Sequence, residues 1–140
     1  MVTSLVKNTA LVALGWGLTA CNITPEPEVS DVSADYGETL FFQNCAACHG
    51  VDARGTVLAG YDGKTPDLTT LRGQNHGVFP QNYVMGVIDG FERRDHPGSV
   101  MPEFGAEDLG PIIRVEDGGA TTSVPSDLIA LSAYLESLQR

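Results

Sequence analysis

The stretch "FFQNCAACHGVD" places two cysteines, Cys45 and Cys48, three positions apart, with His49 directly after the second. Two thiols and an imidazole at this spacing restrict the chain to a redox dithiol, half of a zinc site, or covalent attachment of haem. A dithiol of the thioredoxin kind needs the pair to open a helix after a strand in a βαβ pattern, and no such strand precedes it. Structural zinc needs four Cys or His ligands in two spaced pairs. The other histidines, His76 and His96, are twenty positions apart, and there is no second cysteine pair. Haem accounts for each residue separately: the thiols add to two vinyl groups, and the next side chain falls beneath the iron as its proximal ligand.

The residues before the motif have a helical pattern from Asp35 to Ala47, with Gly37, Phe41 and Cys45 four apart on one face and Leu40 beside them. The cysteine pair is therefore expected at a helix end. Gly50 stands where a helix commonly stops, aiming the preceding side chains off its end.

A chain of 140 residues suits one small domain. With one Trp among 7% aromatics, against 16 Gly and 8 Pro, it is short of large core side chains and rich in loops. A bound group is expected to fill part of its core. Acidic residues outnumber basic ones 18 to 8, a formal charge of -10, which argues against a nucleic-acid partner.

The first 22 residues, "MVTSLVKNTALVALGWGLTACN", place a single Lys7 before an apolar run from Ala10 to Leu18. This predicts a signal peptide over 1–20, too short for a spanning helix. Leu18-Thr19-Ala20-Cys21 resembles the lipobox of bacterial lipoproteins, which implies that Cys21 becomes the acylated first residue. The following "NITPEPEVSDVSA" is acidic and lacks apolar periodicity, so residues 21–34 are expected to form a lipidated cysteine and a flexible tether. Without the leader, seven basic residues face 18 acidic ones, a charge of -11. Export to an oxidising compartment on the periplasmic side, with membrane anchoring at Cys21, is the expected localisation; a soluble periplasmic protein is the alternative.

Residues 35–140 resemble a class I cytochrome c of the bacterial monohaem kind. The likeness rests on Cys45-Ala46-Ala47-Cys48-His49, on Gly37 and Phe41 in the first helix, on "SVMPEFG", and on a last helix containing Tyr134. It implies an all-α fold of about four helices and long loops wrapped around one covalently bound haem c. The first and last helices should cross closely, with Gly37 admitting the approach and Phe41 and Tyr134 packing about it. In "VPSDLIALSAYLESLQR" the leucines Leu128, Leu131, Leu135 and Leu138 share one face, starting from Pro125 or Ser126.

Four side chains are candidates for the second axial position: Met85, Met101, His76 and His96. Met85 belongs to a helical stretch in which Pro80 suits the first turn and Tyr83, Val84, Val87 and Ile88 form an apolar stripe. Met101 precedes Pro102 and follows Gly98-Ser99 in a segment without helical period, as a rigid ligand-presenting loop would. The resemblance also implies a sulfur ligand at such a Met-Pro pair. Met101 is the preferred ligand, and His96, five residues away, is its competitor. His76 is assigned to a polar loop.

A metal-bound histidine normally donates its other ring N–H to a fixed acceptor. The resemblance implies the carbonyl of a loop proline, here Pro66 in "GKTPDLTTL". Between Met101 and the last helix, Glu116 to Ser123 is expected to be a mobile loop, with "PIIRV" beside it either packing on the haem or forming a short strand.

A His/Met haem site has no vacant position, so the resemblance implies single-electron transfer without catalysis or a small-molecule substrate. An electron-transfer subunit of a larger dehydrogenase or oxidase is one alternative, and a haem-based ligand sensor in which Met101 dissociates is another. The expected partners are redox proteins with a basic docking patch, complementary to the acidic domain.

Overall fold

The computed structural model describes residues 32–92, 100–117 and 119–140. The expected signal peptide, Cys21, most of the tether and His96 lie outside the described residues.

Helix α1, Ala34–Asn44, begins at Ser33, whose hydroxyl accepts the Tyr36 N–H (3.2 Å) and so satisfies one of the free amides of the first turn. Asp35 in that turn complements the positive end of the helix. The helix turns Gly37, Leu40 and Phe41 into the core. It ends at Cys45, where φ of -117° interrupts the helical path before the short helix α2, Ala46–His49.

A long loop leads to a 3-10 turn at Leu68–Thr70 and the short helix α3, Leu71–Gln74. Helix α4, Gln81–Asp89, starts from Pro80, buries Val84 and Ile88, and stops at Gly90 in the left-handed conformation. The predicted stripe on α4 is thus present at Val84 and Ile88, whereas Tyr83 is exposed. Helix α5, Ser126–Ser137, buries Leu128, Leu131 and Leu135 together with Ala130 and Tyr134. Each buried leucine contributes about 1.5–3 kcal/mol relative to solvent exposure.

The core is centred where α1 crosses α5, with α4 packed against α5. Phe41 is fully buried and meets Tyr134 with ring centroids 5.4 Å apart and planes tilted by 50°. The crossing, the glycine and the aromatic pair agree with expectation.

One element departs from it. Strands β1, Ile112–Asp117, and β2, Ala120–Pro125, form an antiparallel hairpin where a mobile loop was expected from Glu116 to Ser123. Ile113 pairs with Val124 and Val115 with Thr122, so β-branched side chains stand opposite one another across the ladder. The hairpin base is tied to the start of α5 by Ser126 N–H to the Pro111 carbonyl (2.9 Å) and Asp127 N–H to the Leu109 carbonyl (3.2 Å). It is an addition to an otherwise helical scaffold. No helix among the described residues is long and apolar enough to cross a membrane.

Candidate functional site

The site grows from the break between α1 and α2. Cys45 donates its N–H to the Phe41 carbonyl (2.8 Å), while its own carbonyl accepts from Cys48 N–H (3.1 Å) and His49 N–H (2.9 Å). This single turn carries all three motif residues. Cys45 is half-buried against the core, Cys48 is exposed, and neither is in a disulfide. Burial, reinforced by the neighbouring Cys48, pushes the Cys45 thiol up to about 11, so an unmodified Cys45 is protonated at neutral pH. Among the described residues, no three His, Cys, Asp or Glu side chains gather where one ion could be held.

His49 closes α2, and its carbonyl accepts the Gly55 N–H (2.8 Å). Burial lowers the basicity of its imidazole, and the Pro66 carbonyl raises it. Nδ1 is buried without a hydrogen-bond partner, and the Pro66 carbonyl is the backbone group that acts on the ring.

Met101 comes from a separate segment and packs, half-buried, against the same core as Cys45. That segment runs into a 3-10 turn at Phe104–Ala106, which packs on α4. There Gly105 lies against the Asp89 carbonyl, an approach that a β-carbon would block. Leu68, Leu71, Met85 and Phe104 complete a set of partly buried apolar side chains around that core. Met85 thus takes the packing position expected of it. His76 is exposed at φ of 56° in the turn after α3, as its loop assignment requires.

Two unpaired thiols, an imidazole backed by a carbonyl, a thioether from a second segment and an apolar lining suit an iron porphyrin. Soft sulfur and imidazole donors match iron, and the partly buried apolar side chains match a macrocycle.

Thr65, Asp67, Gln139 and Arg140 were not singled out from the sequence, yet all four anchor the segment that holds Pro66. The Asp67-Leu68-Thr69 spacing, with Asp67 accepting the Thr69 N–H (2.9 Å), was a local capping signal for that segment. Gln139 and Arg140 act across some seventy positions and leave no such local trace.

The chain is 40% identical over 86 residues to the cbb3-type cytochrome c oxidase subunit FixP of Rhizobium etli, a match covering 50% of this chain and 26% of the relative. It is 42% identical over 38 residues to the cbb3-type cytochrome c oxidase subunit CcoP of Azospirillum brasilense, covering 27% and 13% respectively. It therefore spans about a quarter or less of the length of these curated relatives. No solved structure matches. The sequence model of the cytochrome c family matches residues 34–139, and the chain belongs to that family, whose covalently bound haem c its Cys45-Ala46-Ala47-Cys48-His49 motif fits.

Proposed function

We propose that this protein is a single-electron carrier in which Cys45 and Cys48 form the thioethers, His49 is the proximal ligand and Met101 the distal one. One observation carries the reading: the unpaired thiols and His49 share a single turn, while Met101 packs on the same core from another segment. Haem c, when bound, supplies a one-electron couple. The chain's part is to hold the iron with side chains that need not move or exchange protons. Pro66 orients the imidazole, and Leu68, Leu71, Met85 and Phe104 keep water from the ring. A thioether ligand favours the ferrous state and raises the potential above that of a bis-histidine site.

Residues 1–20 are read as a signal peptide, 21–34 as a lipidated Cys21 with its acidic tether, and 35–140 as the cytochrome c domain. Acylation would place the domain on the periplasmic side of a membrane, and an acidic domain favours redox partners with a basic docking patch. A second reading is an electron-transfer subunit of a larger oxidase. It is supported by the two relatives, both described as cbb3-type cytochrome c oxidase subunits.

The test is Met101→Ala in the haem-loaded protein. It should abolish the sulfur-to-iron charge-transfer band, lower the potential and admit carbon monoxide to the reduced iron. An unchanged spectrum would assign the sixth ligand elsewhere, with His96 the first residue to replace next.

A further inference from the structure

Pro66 has no N–H and makes no ladder bond of its own, so its position depends on residues 65 and 67. Both are fastened, by different parts of the chain. On one side, the buried Thr65 hydroxyl donates to the Cys48 carbonyl (2.8 Å) and accepts the Thr56 N–H (2.8 Å). This ties Pro66 directly to the cysteine motif. On the other side, Asp67 accepts from the Thr69 hydroxyl (2.7 Å) and N–H (2.9 Å), and Arg140 closes over both.

Arg140 makes three contacts there: Nε to Thr69 Oγ1 (2.8 Å), Nη2 to Asp67 Oδ2 (3.0 Å), and backbone N–H to the Thr69 carbonyl (3.2 Å). Gln139 adds two more, donating from its amide to the Leu68 carbonyl (2.8 Å) and accepting the Arg72 N–H (2.9 Å). Five polar contacts from two adjacent residues, four of them through side chains, thus converge on Asp67–Arg72. An exposed ion pair alone contributes little to stability, and a half-exposed Arg140 is no exception. Its fork instead bridges two oxygens of one short turn, which fixes orientation.

We propose that Gln139 and Arg140 are positioning residues for the proximal histidine. By clamping Asp67–Arg72 they hold the Pro66 carbonyl beside His49 Nδ1, and so set how strongly the imidazole donates to iron. The inference rests on the proposed ligation by His49. A carbonyl held close to Nδ1 makes the ring more electron-rich and favours ferric iron. Releasing the clamp leaves the Thr65 bonds and the Leu68 N–H to Ala53 carbonyl bond (2.8 Å) intact, so the turn stays attached but loosens about them and the carbonyl withdraws.

The experiment uses the haem-loaded full chain carrying Arg140→Gln, Gln139→Ala or both. At a fixed poise the ferrous-to-ferric ratio should rise about threefold or more in the double variant. Exchange of the His49 Nδ1 proton, followed by NMR, should become faster in step. Arg140→Lys keeps the charge and loses the fork, so it should fall between wild type and Arg140→Gln. Arg140→Lys and Asp67→Asn also provide the readings if the double variant does not fold. A variant that melts earlier but keeps the wild-type potential and exchange rate would reduce the clamp to a stability element and overturn the proposal. His49→Ala separates the two levels. If it retains the wild-type haem spectrum, the ligand assignment has failed; if it loses that spectrum while Arg140→Gln leaves the potential unchanged, only the clamp has failed.

Discussion

A β-carbon on Gly37 would overlap the carbonyl of Ala130 and lie 2.9 Å from the β-carbon of Tyr134. The two helices therefore touch backbone to backbone at this point. Gly37→Ala gains up to about 1 kcal/mol of helix propensity but forces α1 and α5 apart, and the net effect is a loss of about 2 kcal/mol or more. Gly73 in α3 has open space around it, so Gly73→Ala should be neutral or slightly stabilising. Denaturant melts of the two variants beside wild type check both signs.

Replacing both Cys45 and Cys48 with Ala should leave a chain that loses its haem on acid extraction and no longer melts cooperatively. Cys45, Leu68, Leu71, Met85, Met101 and Phe104 are only partly buried against the protein core, and a bound macrocycle would bury them further. Each single variant keeps one thioether and should retain haem weakly. A double variant that melts as wild type does without haem would show that the side chains alone close the core.

Asp67 makes stability fall in acid. Hydrogen bonds from the Thr69 hydroxyl and amide, and then Arg140, hold its carboxyl below the usual range. The unfolded chain, titrating near 4, binds more protons than the folded one in that window, so stability rises with pH there. This contribution is complete above about pH 5 and disappears as pH falls through the folded value. Asp67→Asn should remove it, so the stability difference between wild type and variant should be flat from pH 5 to 7 and shrink below pH 4. A difference that grows towards acid would contradict the assignment.

Cys21 is the one cysteine outside the haem motif. If it is acylated, residues 22–34 form a leash of about 13 residues reaching roughly 40 Å when fully stretched, and less on average. Cys21→Ser should move the protein from the membrane fraction to the soluble periplasm, and the wild-type N-terminus should carry acyl mass. A wild-type protein that is soluble and cleaved at another position would make residues 18–21 a chance match.

The haem motif and the buried faces of α1 and α5 were legible because each rests on local spacing, Cys45 to His49, Gly37 to Phe41 and Leu128 to Leu135, and the crossing of the two helices was implied by the resemblance. A short strand at "PIIRV" was one of two options left open, but its partner strand and the turn between them were missed although their signals were present. Ile112, Ile113 and Val115 are β-branched, and "EDGGA" is a tight-turn sequence between them and Thr121-Thr122. Those signals were outweighed by the expectation of an all-α chain. The clamp was illegible for another reason. Arg140 and Asp67 meet only because α5 brings its far end back to the segment after Pro66, a relation that no local window contains.

The crossing of Gly37 on Ala130 also sets an order of events in the life of the chain. The first helix of the domain finds its main partner only in α5, so the largest helix contact joins the two ends of the folded unit. Such a pairing cannot form until the later helix has left the ribosome, and closing so wide a loop is slow compared with forming a turn. Until then Cys45 and Cys48 sit on an open chain with their thiols free to react. Synthesis itself thus gives whatever modifies or moves this polypeptide a period in which the domain has not yet shut.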